Sequence, residues 1–366
     1  MAKSETLKDN SKSILSSFLE DNKDSHYNFE DEVVYPVSTG SLILDSELGG
    51  ALEIPAILRF TGVSGGGKTS AALLIMNNFL KSVPNSKGLL VKAEGRLNTN
   101  VKKISGVDFV HTPEEWDTGK CFVLKSNLYE DIAKLILELI KNNTDKTRYY
   151  FLIDSMDALI SKQDLSKSFE DSNKVAAGAV LSSNFLKRIM LPLSTFGHIC
   201  GLISQVRSNV QVNPYAKTDP KLTNSSGGNA LQHYADWIFE FQPRYKSDQI
   251  LENNKIVGHW SKILLRKTTN EKDGVEITYP IKHGRTNGKS VWLEYEIADM
   301  LLQWGFAKKS GAWISFDKDL ISEIKKSINL ELPEKIQGMD QLRSFLESNT
   351  EICNYLNSTF KEALAK

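Results

Sequence analysis

The stretch ILRFTGVSGGGKTSAALLI, residues 57–75, is an apolar run that breaks into glycines, then Lys-Thr, then apolar residues at helical spacing. From Gly62 to Thr69 it reads G-x-x-x-x-G-K-[ST], the phosphate-cradling loop that joins a strand to a helix. Gly62, Val63, Ser64, Gly65, Gly66 and Gly67 form that loop, and Lys68, Thr69 and Ser70 open the helix. Successive loop N–H groups can point inward at an anion, and the helix N-terminus adds its dipole. Lys68 is placed to reach the β- and γ-phosphates of a nucleoside triphosphate, and the Thr69 hydroxyl to hold Mg2+. The stretch predicts a nucleotide-binding α/β core without saying what work is done.

Apolar β-like runs (ILRFT, GLLVKA, RYYFLIDS, HICGLISQ, DWIFEFQ) alternate with helical patterns, such as residues 128–141 and 176–189. Such alternation predicts a mostly parallel sheet flanked by helices. Ligands of such sheets bind beyond the carboxyl ends of the strands, so the polar residue ending each run is informative. GLLVKA leads to Glu94, an acid able to orient or deprotonate an attacking water. RYYFLID ends in Asp154, suited to steering Mg2+ through water, and GLIS leads to Gln205, able to sense a γ-phosphate by hydrogen bonding. With Lys68 and Thr69, these residues converge on one sheet edge and imply ATP hydrolysis.

The chain has 366 residues, enough for one large α/β domain and a smaller satellite. Lys+Arg 45 balance Asp+Glu 45, so any nucleic-acid binding has to come from local patches and loops. No signal-peptide pattern or membrane-length apolar run occurs, which predicts a cytoplasmic protein. Cys121, Cys200 and Cys353 are widely spaced and read as buried reduced thiols, and the six histidines show no metal-ligand spacing.

Residues 12–20 carry helix-like apolar spacing followed by a charged hinge, so residues 1–32 are expected to form a detachable helical arm, to which the resemblance named below assigns oligomerisation. Residues 33–283 are expected to form the ATPase core and residues 284–366 a small α+β C-terminal domain. Trp237, Phe239 and Phe241 read as core strand residues, and Trp292, Trp304 and Trp313 as the core of the C-terminal domain. KHGRTNGK, from Lys282, reads as a solvated turn in preference to a contact with duplex DNA. Two polar segments, residues 161–174 and 206–231, follow strand ends on the nucleotide side and are too long to be idle connections.

In series, STGSLILDSELGG, the P-loop, KAEGRL, LIDSMDAL, SQVR, GGNAL with Tyr234-Ala235, and GAWIS resemble the RecA family of recombinases, collinear from about Val37 onward. The resemblance implies a RecA-like P-loop core using ATP and Mg2+, and an ATPase that forms a homo-oligomeric helical filament on single-stranded DNA and pairs it with double-stranded DNA. It implies Glu94 as the water-activating carboxylate, and Gln205 as the switch between γ-phosphate and DNA. Residues 162–174, including Lys174, become a first DNA-binding loop. Residues 207–228 become a second: Arg207, Ser208, Asn209, Val210, Gly227, Gly228 and the following Asn229 match its DNA-contacting region, and Val210 holds the place of the apolar residue inserted between base triplets. Arg266 and Lys267 are implied to reach a neighbouring protomer's ATP, and the arm to dock on the adjacent protomer, with VVYPV adding a strand. Single-strand-binding and loader proteins are further implied partners.

The chain departs from the family pattern in places. The position where the family often stacks a tyrosine on adenine is Val101, and Ala179 replaces a basic residue after the first loop, leaving Lys187 and Arg188 as candidates. The second loop is longer than in bacterial members, and GVDFVHTPEEW is reminiscent of phage UvsX-type members. The rival reading is an ATP-binding accessory protein of recombination with little turnover.

Overall fold

The computed structural model describes residues 10–22, 33–95, 97–166, 177–207, 224–225 and 228–365. Strand β1 (Tyr35–Val37) pairs antiparallel with β2 (Leu52–Ile54) of the same chain. VVYPV was expected to add a strand to a neighbour; within the protomer its Tyr35–Val37 portion pairs with β2 along one edge.

The main sheet begins with the P-loop strand β3 (Ala56–Gly62) and continues through β4 (Ser86–Lys92), β5 (Asp108–Val110), β6 (Lys120–Leu124), β7 (Arg148–Asp154) and β8 (Ile199–Ile203). After a two-residue pair, β9 (Val206–Arg207) with β10 (Asn224–Ser225), it gains β11 (Trp237–Phe241), β12 (Gln249–Glu252), β13 (Lys255–Lys267) and β14 (Glu276–Lys282). The order across the sheet is β12-β13-β11-β3-β8-β7-β4-β6-β5, with β14 also on β13. From β11 to β5 every pairing is parallel, and the antiparallel strands gather at one edge. All seven residues of β3 are buried, polar Arg59 and Thr61 included, as in a parallel strand covered on both faces.

The helix Lys68–Ser82 covers one face with Ala72, Ile75, Met76 and Phe79. The helices Tyr129–Lys141 and Ala177–Thr195 cover the other, the first through Ile132, Ile136 and Ile140 at four-residue spacing. The second of these continues past Ile189 to Thr195, through Pro192. Trp237, Phe239 and Phe241 are core residues, as expected.

Residue 284 lies in the turn after β14, and a third apolar cluster follows. It is built from the helices Leu293–Gln303, Lys318–Ile328, Gly338–Ser348 and Thr350–Leu364 and the antiparallel strands Ala307–Ser310, Trp313–Phe316 and Lys335–Gln337. Trp292 is fully buried, but Trp304 is 37% and Trp313 50% exposed, which corrects the expectation for those two. In Trp313–Phe316 the pleat turns Ile314 and Phe316 inward and leaves Trp313 on the outer face.

This cluster is fastened to the core. Leu42, from the stretch before the P-loop strand, packs within it, and fully buried Glu296 accepts hydrogen bonds from Ser41 Oγ (2.5 Å) and the Leu42 N–H (2.7 Å). Burial pushes the Glu296 carboxyl up to about 8. The unfolded group ionises near 4.5, so the folded state retains a proton that the unfolded state loses as pH rises from about 4.5 to about 8. Stability from this group is therefore full below that window and declines across it. Thermal melts from pH 5 to pH 8 are expected to show a falling midpoint that Glu296→Gln flattens. Equal slopes in both proteins would count against a protonated Glu296.

The helix Ser11–Asp21 forms as expected. It buries none of its residues, and Ile14, Leu15 and Phe18 are exposed.

Candidate nucleotide-binding site

The P-loop begins where β3 runs beside β11. Gly62 has φ +129°, and a Cβ there would stand 2.3 Å from the Phe241 carbonyl oxygen, so only glycine fits. Gly67, at φ +109°, caps the 15-residue helix Lys68–Ser82, whose first N–H groups face the loop. Lys68 is buried, and its ammonium donates to the carbonyls of Gly62 (2.8 Å) and Val63 (2.7 Å). Burial lowers its pKa, while Asp154, Asp157 and Glu94 pull the other way.

An open cavity of about 370 Å³ brings together Ser64, Gly65, Gly66, Gly67, Lys68, Thr69, Ser70, Glu94, Asp154 and Gln205, with Lys92, Ser155, Ile203 and Arg244. The strand-end reading thus assembles one site from four separate segments. Thr69 Oγ1 lies 3.4 Å from Asp154 Oδ2, and Lys92 Nζ lies 2.6 Å from that same oxygen. Glu94 accepts a hydrogen bond from the Ser155 hydroxyl on Oε1. The Gln205 N–H donates to Asp157 Oδ2 at 2.7 Å, tying the segment after β8 to the turn after β7.

This arrangement can hold a polyphosphate: backbone donors, a helix N-terminus and the ammonium of Lys68 point to one place. It also suits Mg2+. Among the described residues no group of three His, Cys, Asp or Glu could hold a metal, and a hydroxyl beside one carboxylate is the donor set of an ion completed by water and phosphate oxygens.

A second cavity, of about 320 Å³, shares Gly67, Ser70 and Arg244 with the first and adds Ala71, Leu74, Ile104, Tyr279 and the pair His259 and His283. The two imidazoles meet at 2.8 Å (Nδ1 to Nε2), and burial, reinforced by Arg244 and His283, pushes His259 down to about 4. More apolar and contiguous with the phosphate cradle, this cavity suits the flat end of a nucleotide. Val101 packs half-buried against the core, and Ile104, one turn on in the helix Thr99–Ser105, is the residue of that helix that lines the cavity.

The 282–289 turn is more than the solvated turn expected. His283, Gly284 and Arg285 line the second cavity, and the N–H groups of Asn287 and Gly288 donate to the carbonyls of Lys103 and Ile104 at 2.8 Å. Polar composition concealed this, because its partners lie on a helix some 180 residues earlier. Arg244 and Lys92 were also missed. The strand-end rule points to both: Lys92 closes β4, and Arg244 follows β11 by three residues.

Arg266 and Lys267 do not line this cavity. Lys267 registers with Ile238 at the start of β11, away from the P-loop end of the sheet, and donates to the carbonyls of Gln232 (3.3 Å) and His233 (2.9 Å). Arg266 makes a two-pronged pair with Glu240, at 2.5 and 3.0 Å. Of the DNA-contacting candidates, the backbone of Arg207 pairs with Asn224 across the β9–β10 stem, and Gly228 and Asn229 open the helix Gly228–Tyr234. Lys174, Ser208, Asn209, Val210 and Gly227 lie outside the described residues, as do the side chains of Arg207, Asn229 and Ala179. Lys187 and Arg188 are exposed on the helix Ala177–Thr195.

Among the described residues no helix is long and apolar enough to cross a membrane. A family profile described as the RecA N-terminal domain matches residues 23–281. The chain is 26% identical over 338 residues to "Protein RecA" of Mycobacterium marinum, covering 91% of this chain and 86% of that protein. It is 25% identical over 329 residues to "Protein RecA" of Chlorobium limicola, covering 88% and 85%. With its P-loop site assembled at the carboxyl edge of a mostly parallel sheet and a family match over more than half its length, this chain belongs to the RecA family, whose members use ATP in DNA recombination and repair.

Proposed function

We propose that this protein is an ATP-dependent DNA recombinase that polymerises on single-stranded DNA and pairs it with homologous duplex. The observation that carries the reading is the convergence of Lys68, Thr69, Glu94, Asp154 and Gln205 on one cavity, with Gln205 directly preceding the β9–β10 stem of the second polar loop. Mg2+ held beside Thr69 and Asp154 would neutralise charge developing on the phosphate oxygens. Lys68 exchanges its carbonyl partners for phosphate oxygens. Glu94, held by Ser155, orients water and takes its proton. Gln205 senses the terminal phosphate at one end and the DNA loops at the other, a coupling between two sites.

In this reading the residues assigned to DNA contact the phosphate backbone, so binding is tolerant of sequence and sensitive to salt. Arg266 and Lys267, which do not line their own nucleotide cavity, serve a neighbouring protomer's nucleotide. The exposed stripe of Ile14, Leu15 and Phe18 is covered by an adjacent copy in the filament. The protein acts in the cytoplasm, and residues 1–32, 33–283 and 284–366 serve as arm, ATPase core and satellite domain.

The test is ATP turnover by purified protein with and without single-stranded DNA, at low and high salt. Turnover is expected to rise with DNA, and DNA binding to weaken as salt increases. ATP binding without turnover, and without filaments on DNA, would overturn the recombinase reading in favour of an accessory role.

A further inference from the structure

Lys92 closes β4 directly opposite Asp154, the last residue of β7, in the parallel register. Facing residues on neighbouring strands project to the same side of the pleat, so the backbone itself brings the two side chains together. The ion pair is short, 2.6 Å, and its side chains are only 12% and 6% exposed. Its carboxylate oxygen is the one that Thr69 Oγ1 approaches at 3.4 Å. The cavity wall therefore carries three cationic side chains, Lys68, Lys92 and Arg244, against two carboxylates, Glu94 and Asp154.

Resting on the nucleotide reading above, we propose that Lys92 is a resident counter-cation on Asp154, which partly replaces the divalent ion and relaxes the Mg2+ requirement for holding nucleotide. Two consequences of the geometry point the same way. Without metal, a triphosphate entering the cavity meets an Asp154 whose charge is already offset, so the carboxylate does not repel it. With metal, Asp154 has less charge to offer, because an ammonium already occupies the oxygen that would steer the ion. Both effects are strengthened by the low exposure of the Lys92 and Asp154 side chains themselves. An ion pair that served folding alone would leave metal dependence untouched when broken.

The test is the dissociation constant of a fluorescent ATP analogue, read by polarisation in EDTA and in excess Mg2+, for wild type, Lys92→Met and Lys92→Arg. In wild type the ratio of the two constants is expected to stay below roughly tenfold, and Lys92→Met to widen it by roughly tenfold or more. Lys92→Arg, which keeps the charge, should behave as wild type. An unchanged ratio in Lys92→Met, even with a lowered melting temperature, overturns the proposal. If Lys92→Met does not fold, wild type decides: loss of the analogue in EDTA by far more than tenfold has the same meaning. Failure of wild type to bind in either condition instead removes the nucleotide reading on which the proposal stands.

Discussion

Lys68→Ala lowers ATP turnover by about 10²–10³-fold or more, the range for removing one preorganised electrostatic partner of a transition state. The reason lies in how the ammonium is held. Lys68 is buried, its charge is disfavoured by desolvation, and its two neutral acceptors are carbonyls of its own loop. Phosphate oxygens are better partners than those carbonyls, because an anionic acceptor adds ion–ion attraction to the ammonium's hydrogen bond that a neutral carbonyl dipole does not supply. The gain grows as negative charge builds on the transferring group, so most of the loss should fall on turnover, with weaker ATP binding alongside. Stability should change little, since alanine removes a desolvated charge and keeps the helix. Steady-state kinetics and a thermal melt on the same preparation check both statements. Turnover within a few-fold of wild type would remove Lys68 from the phosphate site.

Glu94→Gln separates chemistry from binding. Gln has the same shape and can still accept from the Ser155 hydroxyl, so the cavity is preserved. What disappears is a base for the attacking water, and general-base contributions run at about 10²–10⁴-fold. Turnover should fall by that range while the analogue binds as in wild type and filaments still form on single-stranded DNA. Single-turnover hydrolysis alongside equilibrium binding distinguishes the two. A parallel loss of binding would assign Glu94 to holding nucleotide or metal, and unchanged hydrolysis would leave it without a role in the step.

Much of this site could be read before any coordinates, because its parts are local. The loop from Gly62 to Thr69 needs only glycines and a helix start, and Glu94, Asp154 and Gln205 stand where apolar runs give way to polar residues. The parallel sheet follows from strands and helices alternating, and the exposed helix Ser11–Asp21 from its apolar spacing. Trp304 and Trp313 mark where composition misleads. A large apolar side chain is presumed inside, but which side of the pleat it takes depends on strand phase, and Trp313 falls on the outer one.

Other features depend on partners remote in the chain. The pairing of Lys92 with Asp154 exists because β4 and β7 are neighbours in register across 62 positions. Arg244 reaches the P-loop because β11 lies beside β3, and the 282–289 turn is pinned by carbonyls of Lys103 and Ile104. Burial under the third apolar cluster pushes the Glu296 carboxyl up, against the opposing pull of the hydrogen bonds from Ser41 and Leu42. Spacing within a segment dictates turns, helix faces and strand ends, because those arise from contacts a few residues apart. Which charge meets which across the cavity, and which carboxyl loses its water, is set by strand order and packing, where the interacting groups share no local pattern.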